Sequence, residues 1–378
     1  MIEPIAPPSK PSNDTETKTT VRLPPSNATT NFGGVHARPF QAWPSNRSLP
    51  CVPAETNWST VKVQISPTQE GFLFVKPYKV GGSTAAGVNI RLARNVAQRQ
   101  WTNGTVSLPS GTTTEICKNR YDHAQVRTQQ YHIRNRMKSF LWSIIRDPTK
   151  RAISSFFHFE VSRNKVEPTD WNFQAYLRTD TSLHHHYLRT LSLKDYKNLD
   201  KDDFDVVPAV NGVLAAYDFI AVTERMDESI VVLQLLLGLT TGDVLFFNAK
   251  NNGGFDDGSE KYGCVYIVPS FVSPGMKKYF ETNPLWKRQS QADRLLYEAV
   301  NRSLDLTIEQ TIGLERFESA LQRFRHAQRV VHERCAPKVV PPCSAGGEKM
   351  KQTSCFFSDF GCGTDCIDQV VEELHLYN

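Results

Sequence analysis

No stretch of the 378 residues is apolar for long enough to cross a membrane as a helix, and the opening MIEPIAPPSK has none of the order of a signal peptide. No internal repeat is present, which excludes solenoids and propellers. No Cys-x-x-Cys pair occurs, and no histidine stands at ligand spacing beside the cysteines, so the common structural zinc patterns are excluded. Gly-x-x-x-x-Gly-Lys-Ser/Thr and Gly-x-Gly-x-x-Gly are both missing, so the chain carries neither common nucleotide fingerprint. Charge of one sign is scarce in excess. A net +5 is too small to argue for nucleic acid by itself, and suits an anionic small molecule or a polyanionic glycan.

What is present points to an oxidising compartment. There are eight cysteines, and five crowd the end of the chain: Cys335, Cys343, Cys355, Cys362 and Cys366. They read as a disulfide-stapled tail over 335–378, and their spacing does not assign partners. Asn13, Asn27, Asn46, Asn57, Asn103 and Asn301 each begin an Asn-x-Ser/Thr acceptor. Four of these fall in a Pro-, Ser- and Thr-rich region that cannot bury a core, so residues 1–68 read as a disordered, glycosylated lumenal stem. A secretory lumen explains stem, acceptors and cysteines together. The missing anchor is then expected in a lost segment or behind a misassigned start, in preference to a cytosolic protein.

Between stem and tail, residues 69–334 read as one α/β domain. Gly71–Val75 (GFLFV) and Ser139–Ile145 (SFLWSII) are short apolar runs typical of buried strands. A helix is expected from about Ser83 to Gln98, with Ala85, Val88, Leu92 and Val96 on one face and its arginines elsewhere. Residues 102–115 read as a loop. Asp147 and Pro148 are a good N-cap and first residue for a helix after the second strand. A third strand is expected to end near Thr223, with a helix over Asp227–Leu237, and Asp243–Asn248 (DVLFFN) reads as a fourth strand. Further helices are expected over Gln291–Val331. Strands alternating with helices predict a parallel sheet flanked by helices.

Two turns carry chemistry. Lys76–Thr84 (KPYKVGGST) leaves a strand end and opens a helix. There Gly81 and Gly82 allow close backbone approach, Ser83 and Thr84 add hydroxyls, and Lys76 and Lys79 add charge. This is a phosphate-binding, P-loop-like arrangement. In RDPTKRAISSFFHFE, Arg146 stands at a strand end, and Arg151, Ser154 and His158 share one helical face. Arg146 and Ser154 suit a second phosphate. Two anion grips on two strand ends call for a ligand with two separated anionic groups.

The pair K-P-Y-K-V-G-G-S-T and R-D-P-x-x-R-x-x-S-x-F-F resembles the 5′- and 3′-phosphate motifs of sulfotransferases that use 3′-phosphoadenosine 5′-phosphosulfate (PAPS). The nearest group is the Golgi carbohydrate sulfotransferases of the galactose-3-O type, and Asp218–Leu239 resembles that group's strand and helix with its F-D-E-S-L core. Pro77-Tyr78 and Gly82 stand where the group has Thr-His and Ser. The resemblance covers about residues 70–250. It implies a sulfotransferase fold of the nucleoside-triphosphate-hydrolase-like kind, and a type II membrane protein of the Golgi lumen whose anchor this chain lacks. It also implies PAPS as cosubstrate, no metal, and a glycan acceptor bearing the hydroxyl to be sulfated. Lys79, Gly81, Gly82, Ser83 and Thr84, with Lys76, would cradle the 5′-phosphosulfate, and Arg146 and Ser154 would hold the 3′-phosphate. Lys79 would also neutralise the leaving oxygen. No nucleic-acid partner is expected, and homodimerisation is left open.

A neutral histidine is the natural base for the acceptor proton near pH 7. His123 is chosen because it lies twenty-three residues ahead of Arg146, as a histidine does in the related enzymes; His132 is the runner-up, and His158 is expected beside the 3′-phosphate site. Glu224 and Arg189 are candidate acceptor contacts. The run His184-His185-His186 is expected along the acceptor groove, since three adjacent residues point in different directions and rarely chelate together. A kinase-like nucleotide user and an inactive glycan-binding protein on the same fold are the rival readings.

Overall fold

The computed structural model describes residues 31–32, 34–37, 51–52, 69–102, 116–121, 123, 131–196, 199, 201, 203–250, 253–256, 263–356 and 358–377. Strands β1 (Asn31–Phe32) and β2 (Val35–His36) form a small antiparallel ribbon. The central sheet follows with β3 (Gly71–Val75), β4 (Asn119–Arg120), β5 (Ser139–Ile145) and β6 (Phe219–Val222), in the spatial order β4-β3-β5-β6 and parallel throughout. A second ribbon pairs β7 (Gly254–Asp256) with β8 (Cys264–Tyr266).

Every residue of β3, β5 and β6 is buried, so both faces of the sheet are covered and the strand sequences are apolar without alternation. The register sets Phe72 beside Phe140, and Phe74 beside Trp142, which in turn lies beside Phe219. Trp142 satisfies its indole N–H on Asn89 Oδ1 at 2.8 Å, which lets a polar ring atom sit in the core.

Helix α1 (Gly82–Thr102) buries Ala85, Val88, Leu92 and Val96 as its spacing requires. Its arginines do not all stay outside. Arg91 is buried, bonding the Gly242 carbonyl at 2.9 and 3.2 Å and pairing with Asp368 at 2.6 Å, because the end of the chain folds over this face. Helix α2 (Pro148–Phe156) begins as expected, with Asp147 accepting the Lys150 N–H at 2.9 Å. It continues into a wide π-helical turn over Phe157–Arg163. Helices α3 (Asp170–Thr179), α4 (His186–Leu191) and α5 (Val206–Ala216) lead to β6. After β6, a short 3-10 turn leads into α6 (Met226–Leu236).

Residues 243–248 are not a strand. The Thr240–Asp243 capping box starts a 3-10 turn over Thr241–Val244. The main chain of Phe246 then bonds the side chain of Gln328 on both its N–H and C=O, in place of a neighbouring strand. The fourth strand of the sheet is the two-residue β4. Helices α7 (Pro274–Thr282), α8 (Pro284–Gln289), α9 (Gln291–Leu306) and α10 (Leu314–Cys335) follow, and α11 (Thr364–Glu373) closes the fold. Among the described residues no helix is long and apolar enough to cross a membrane.

Four disulfides join Cys51–Cys117, Cys264–Cys343, Cys335–Cys366 and Cys355–Cys362. Ile367, Val370 and Val371 of α11 belong to the same core cluster as the sheet. Two pieces of the region expected as stem also touch the domain: Val35 is fully buried, and Cys51 is tethered to Cys117. Apart from 31–32, 34–37 and 51–52, residues 1–68 lie outside the described residues, as do Asn13, Asn27, Asn46, Asn57, Asn103 and most of the expected 102–115 loop. Asn301 is on α9, its amide donating to the Tyr297 carbonyl at 2.9 Å.

The Cys335–Cys366 bond closes a 31-residue separation. The chain-entropy relation puts its contribution at about 3–4 kcal/mol. Replacing both cysteines by serine is therefore expected to lower the unfolding free energy by that amount in urea titration; unchanged stability would contradict the docking of α11 as a stabilising element.

Candidate functional site

Successive strands leave β3 toward β4 on one side and β5 toward β6 on the other. The strand order thus reverses between β3 and β5, and the crevice beyond the carboxyl ends of those two strands is where parallel sheets bind ligands. A cleft of about 720 Å³ opens there. The turn after β3 and the turn after β5 both face it. Lys76, Lys79, Gly81, Gly82, Ser83 and Thr84 come from the first, and Arg146 with Ser154 from the second.

The first turn is built around a buried Val80. Lys79 adopts φ 63° and Gly81 φ 75°, so the chain doubles back before α1 begins. A left-handed lysine costs on the order of 1 kcal/mol and survives only where its surroundings fix it. Thr223 supplies part of that fixing, donating its hydroxyl to the Val80 carbonyl (2.6 Å) and the Ile145 carbonyl (3.0 Å), which laces three strand tips together. Gly82 is needed for a different reason: a Cβ there would stand 2.6 Å from Lys76 Cγ. The Lys76 side chain crosses the turn and sets its ammonium 4.0 Å from the Phe360 ring centroid. The first turn of α1 carries no acidic residue, so its dipole end faces the cleft unopposed.

Arg146 reaches back to the first turn, its Nη1 lying 3.5 Å from the Lys79 carbonyl. The two turns therefore share one crevice. Of the helical trio, Ser154 and His158 line it and Arg151 does not; Arg151 is buried instead, 3.9 Å from Asp293. The π-helical turn brings His158, Phe159 and Arg163 round to the cleft wall, a common use of such wide turns.

Lys250 is a further cation in the wall, which sequence does not signal because it follows a run, DVLFFN, with a strand's composition. Its left-handed φ of 65° and the Ala249 N–H bond to Thr84 Oγ1 (3.0 Å) hold it against the first turn. Its ammonium stands 4.5 Å from the Phe255 ring and 3.9 Å from Asp359. Asp359 and Phe360 come from inside the Cys355–Cys362 disulfide loop, so the stapled tail builds a wall of the site. The only sequence signal for this was the aromatic and acidic content of CFFSDFGC.

The electrostatics follow from the crowding. Burial, together with Lys250, Arg146, Arg163 and Lys76, holds the Lys79 ammonium well below its ordinary pKa. His123 stacks on Tyr78 at 4.1 Å, and one ring nitrogen, Nδ1, meets the Lys76 carbonyl at 2.8 Å. A carbonyl accepts, so Nδ1 carries the proton and Nε2 keeps its lone pair. Burial first, then Lys76, pushes the His123 pKa down to about 3. His158 is pushed down in the same way by burial, Lys79, Lys250 and Arg163, and its Nδ1 has no hydrogen-bond partner among the described residues. His158 lines the same cleft as Arg146 and Ser154. Burial raises the Asp359 carboxyl to about 6.

The remaining candidates lie elsewhere. Glu224 is not in the cleft wall; it accepts the Asp147 N–H (3.2 and 3.3 Å) and the Tyr297 hydroxyl (3.2 Å), and stands 3.9 Å from Arg146 and 3.8 Å from Lys150. Arg189 turns its Nε to the His184 carbonyl at 2.9 Å, outside the wall. His132 is exposed on a 3-10 turn away from the cleft. His184, His185 and His186 are all buried and do not line the cleft. Among the described residues no group of three or more His, Cys, Asp or Glu side chains gathers to hold a metal. Comparison with family models and with curated proteins finds no match.

The His123 shift has a sign. Unfolded histidine binds its proton below pH 6.5, whereas the folded imidazole stays neutral down to about 3. The unfolded state therefore holds more protons in that window, and stability falls as pH drops from 6.5 toward 3. His123→Gln is expected to flatten this slope in pH-dependent denaturation, and a His123 NMR titration midpoint near 6.5 in the ligand-free protein would contradict the burial described.

Proposed function

We propose that the chain transfers a sulfuryl group from PAPS to a hydroxyl of a glycan. The observation that carries the reading is the convergence of Lys76, Lys79, Arg146, Arg163 and Lys250 in one crevice at the switch point of a parallel sheet. Five cations gathered against two carboxylates, Asp256 and Asp359, among the described wall residues favour a ligand of high negative charge. The two turns at the ends of β3 and β5 suit two separated anionic groups. His158, buried with an unpartnered Nδ1 in the same wall, fits a cleft that completes its hydrogen bonds on a ligand.

In this reading the Gly81–Thr84 cradle and Lys79 bind the 5′-phosphosulfate, and Arg146 and Ser154 bind the 3′-phosphate. The glycan hydroxyl oxygen attacks sulfur in line. Its proton passes to His123 Nε2, the sulfur–oxygen bond to the phosphate breaks, and the electron pair stays on that phosphate oxygen beside Lys79. The anionic donor lifts the pKa of His123 by offsetting the cations that depress it, bringing the imidazole nearer the range in which it accepts protons. The acceptor half of the cleft offers aromatic faces in Tyr78, Phe159 and Phe255, the surface on which sugar rings stack. The lumenal setting follows from the disulfides and the asparagine acceptors of the sequence.

Purified protein is expected to release 3′,5′-adenosine bisphosphate from PAPS only when a glycan acceptor is present. Lys79→Ala should lower turnover about 10²-fold or more, as loss of a group facing developing charge does. Arg146→Ala should weaken bisphosphate binding about 10- to 100-fold, the usual cost of a charged hydrogen-bonding group. Full turnover by either variant would contradict the assignment. Binding without transfer across a broad glycan panel would identify a lectin-like protein instead.

A further inference from the structure

Arg146 is the first residue beyond β5, whose pairing with β6 ends at Ile145 and Val222. No strand neighbour is left to bond its main chain. A tyrosine hydroxyl does so: Tyr187 Oη accepts the Arg146 N–H at 2.9 Å and donates to the Arg146 carbonyl at 2.5 Å. Tyr187 is fully buried on α4. Its own main chain is fixed from the other side by Asp293 of α9, which accepts the Tyr187 N–H at 2.9 Å and the His186 N–H at 3.1 Å. Asp293 is buried in turn, with Arg151 at 3.9 Å.

The Arg146 guanidinium is held far more loosely than its backbone. Its polar contacts among the described residues are the Lys79 carbonyl at 3.5 Å and Glu224 at 3.9 Å. A side chain with long contacts on a clamped main chain is aimed from behind. The first turn has an anchor that does not involve Tyr187, the Thr223 hydroxyl on the Val80 carbonyl.

From this arrangement, and resting on the nucleotide reading above, we propose that Tyr187 is a positioning residue. It aims Arg146 at the 3′-phosphate and so sets the preference for a nucleotide phosphorylated at both ends. Losing the hydroxyl frees the strand tip to turn, and misaim of a bidentate donor costs affinity only for the group it grips. The 5′ cradle keeps its grip.

The test is calorimetric titration of the full chain with 3′,5′-adenosine bisphosphate and with adenosine 5′-monophosphate. Tyr187→Phe keeps the ring in the core and removes the hydroxyl. It is expected to weaken the bisphosphate about tenfold and leave the monophosphate within about twofold, so that selectivity for the 3′-phosphate falls about tenfold. Equal weakening of both ligands, or unchanged selectivity, overturns the proposal while leaving the nucleotide reading intact. A wild-type chain with no preference for the bisphosphate overturns the nucleotide reading and this inference with it. Hydrogen exchange on unmodified protein tests the same point without a variant. The Arg146 amide should exchange more slowly with the bisphosphate bound than with the monophosphate, and equal exchange contradicts the proposal.

Discussion

Repulsion among positive side chains is the constraint that organises this molecule. Lys76, Lys79, Arg146, Arg163 and Lys250 face one cleft, and Lys79 shows the strain in a pKa driven down by burial and by the other four. Like charges gather in a partly buried space only when a rigid frame holds them there. The frame is the buried parallel sheet. β3 and β5 carry the two turns outward from the point where strand order reverses, and Thr223 laces those turns to the tip of β6. Left-handed backbone at both Lys79 and Lys250 is a local cost that the same frame sustains.

The end of the chain is part of that frame. Cys355–Cys362 closes a short loop that presents Phe360 to Lys76 and Asp359 to Lys250. Cys335–Cys366 ties α11 to the end of α10, and α11 covers Arg91 on the outer face of α1. The helix that opens at the cradle is thereby held ahead of its start and at its middle by residues far away in sequence. Disulfides and site are consequently linked, since the Cys355–Cys362 loop supplies part of the cleft wall.

The parts of this arrangement that local sequence controls were legible in it. GFLFV and SFLWSII are strands because an apolar run of that length between polar turns fits a sheet covered on both faces. Asp147-Pro148 starts a helix because both residues suit its first turn. The two turns of the crevice were legible as strand-end turns for the same reason. What escaped was set by distant partners. DVLFFN has a strand's composition, but Gln328 takes its backbone bonds and a capping box bends its start. Asn119–Arg120 makes only two residues of ladder and leaves no pattern to read. Arg151 shares a helical face with Ser154 and His158 by spacing, yet it is buried beside Asp293, more than a hundred positions later. Lys250, Asp359 and Phe360 reach the site through loops whose course depends on the whole fold.

The central claim is that two strand tips clasp the two ends of one doubly anionic nucleotide. A crystal structure of the chain soaked with 3′,5′-adenosine bisphosphate tests it most directly. The account predicts one phosphate on the Gly81–Thr84 turn and the other within hydrogen-bond distance of Arg146 and Ser154. A bound nucleotide with either phosphate away from these turns, or density outside the crevice altogether, would contradict it.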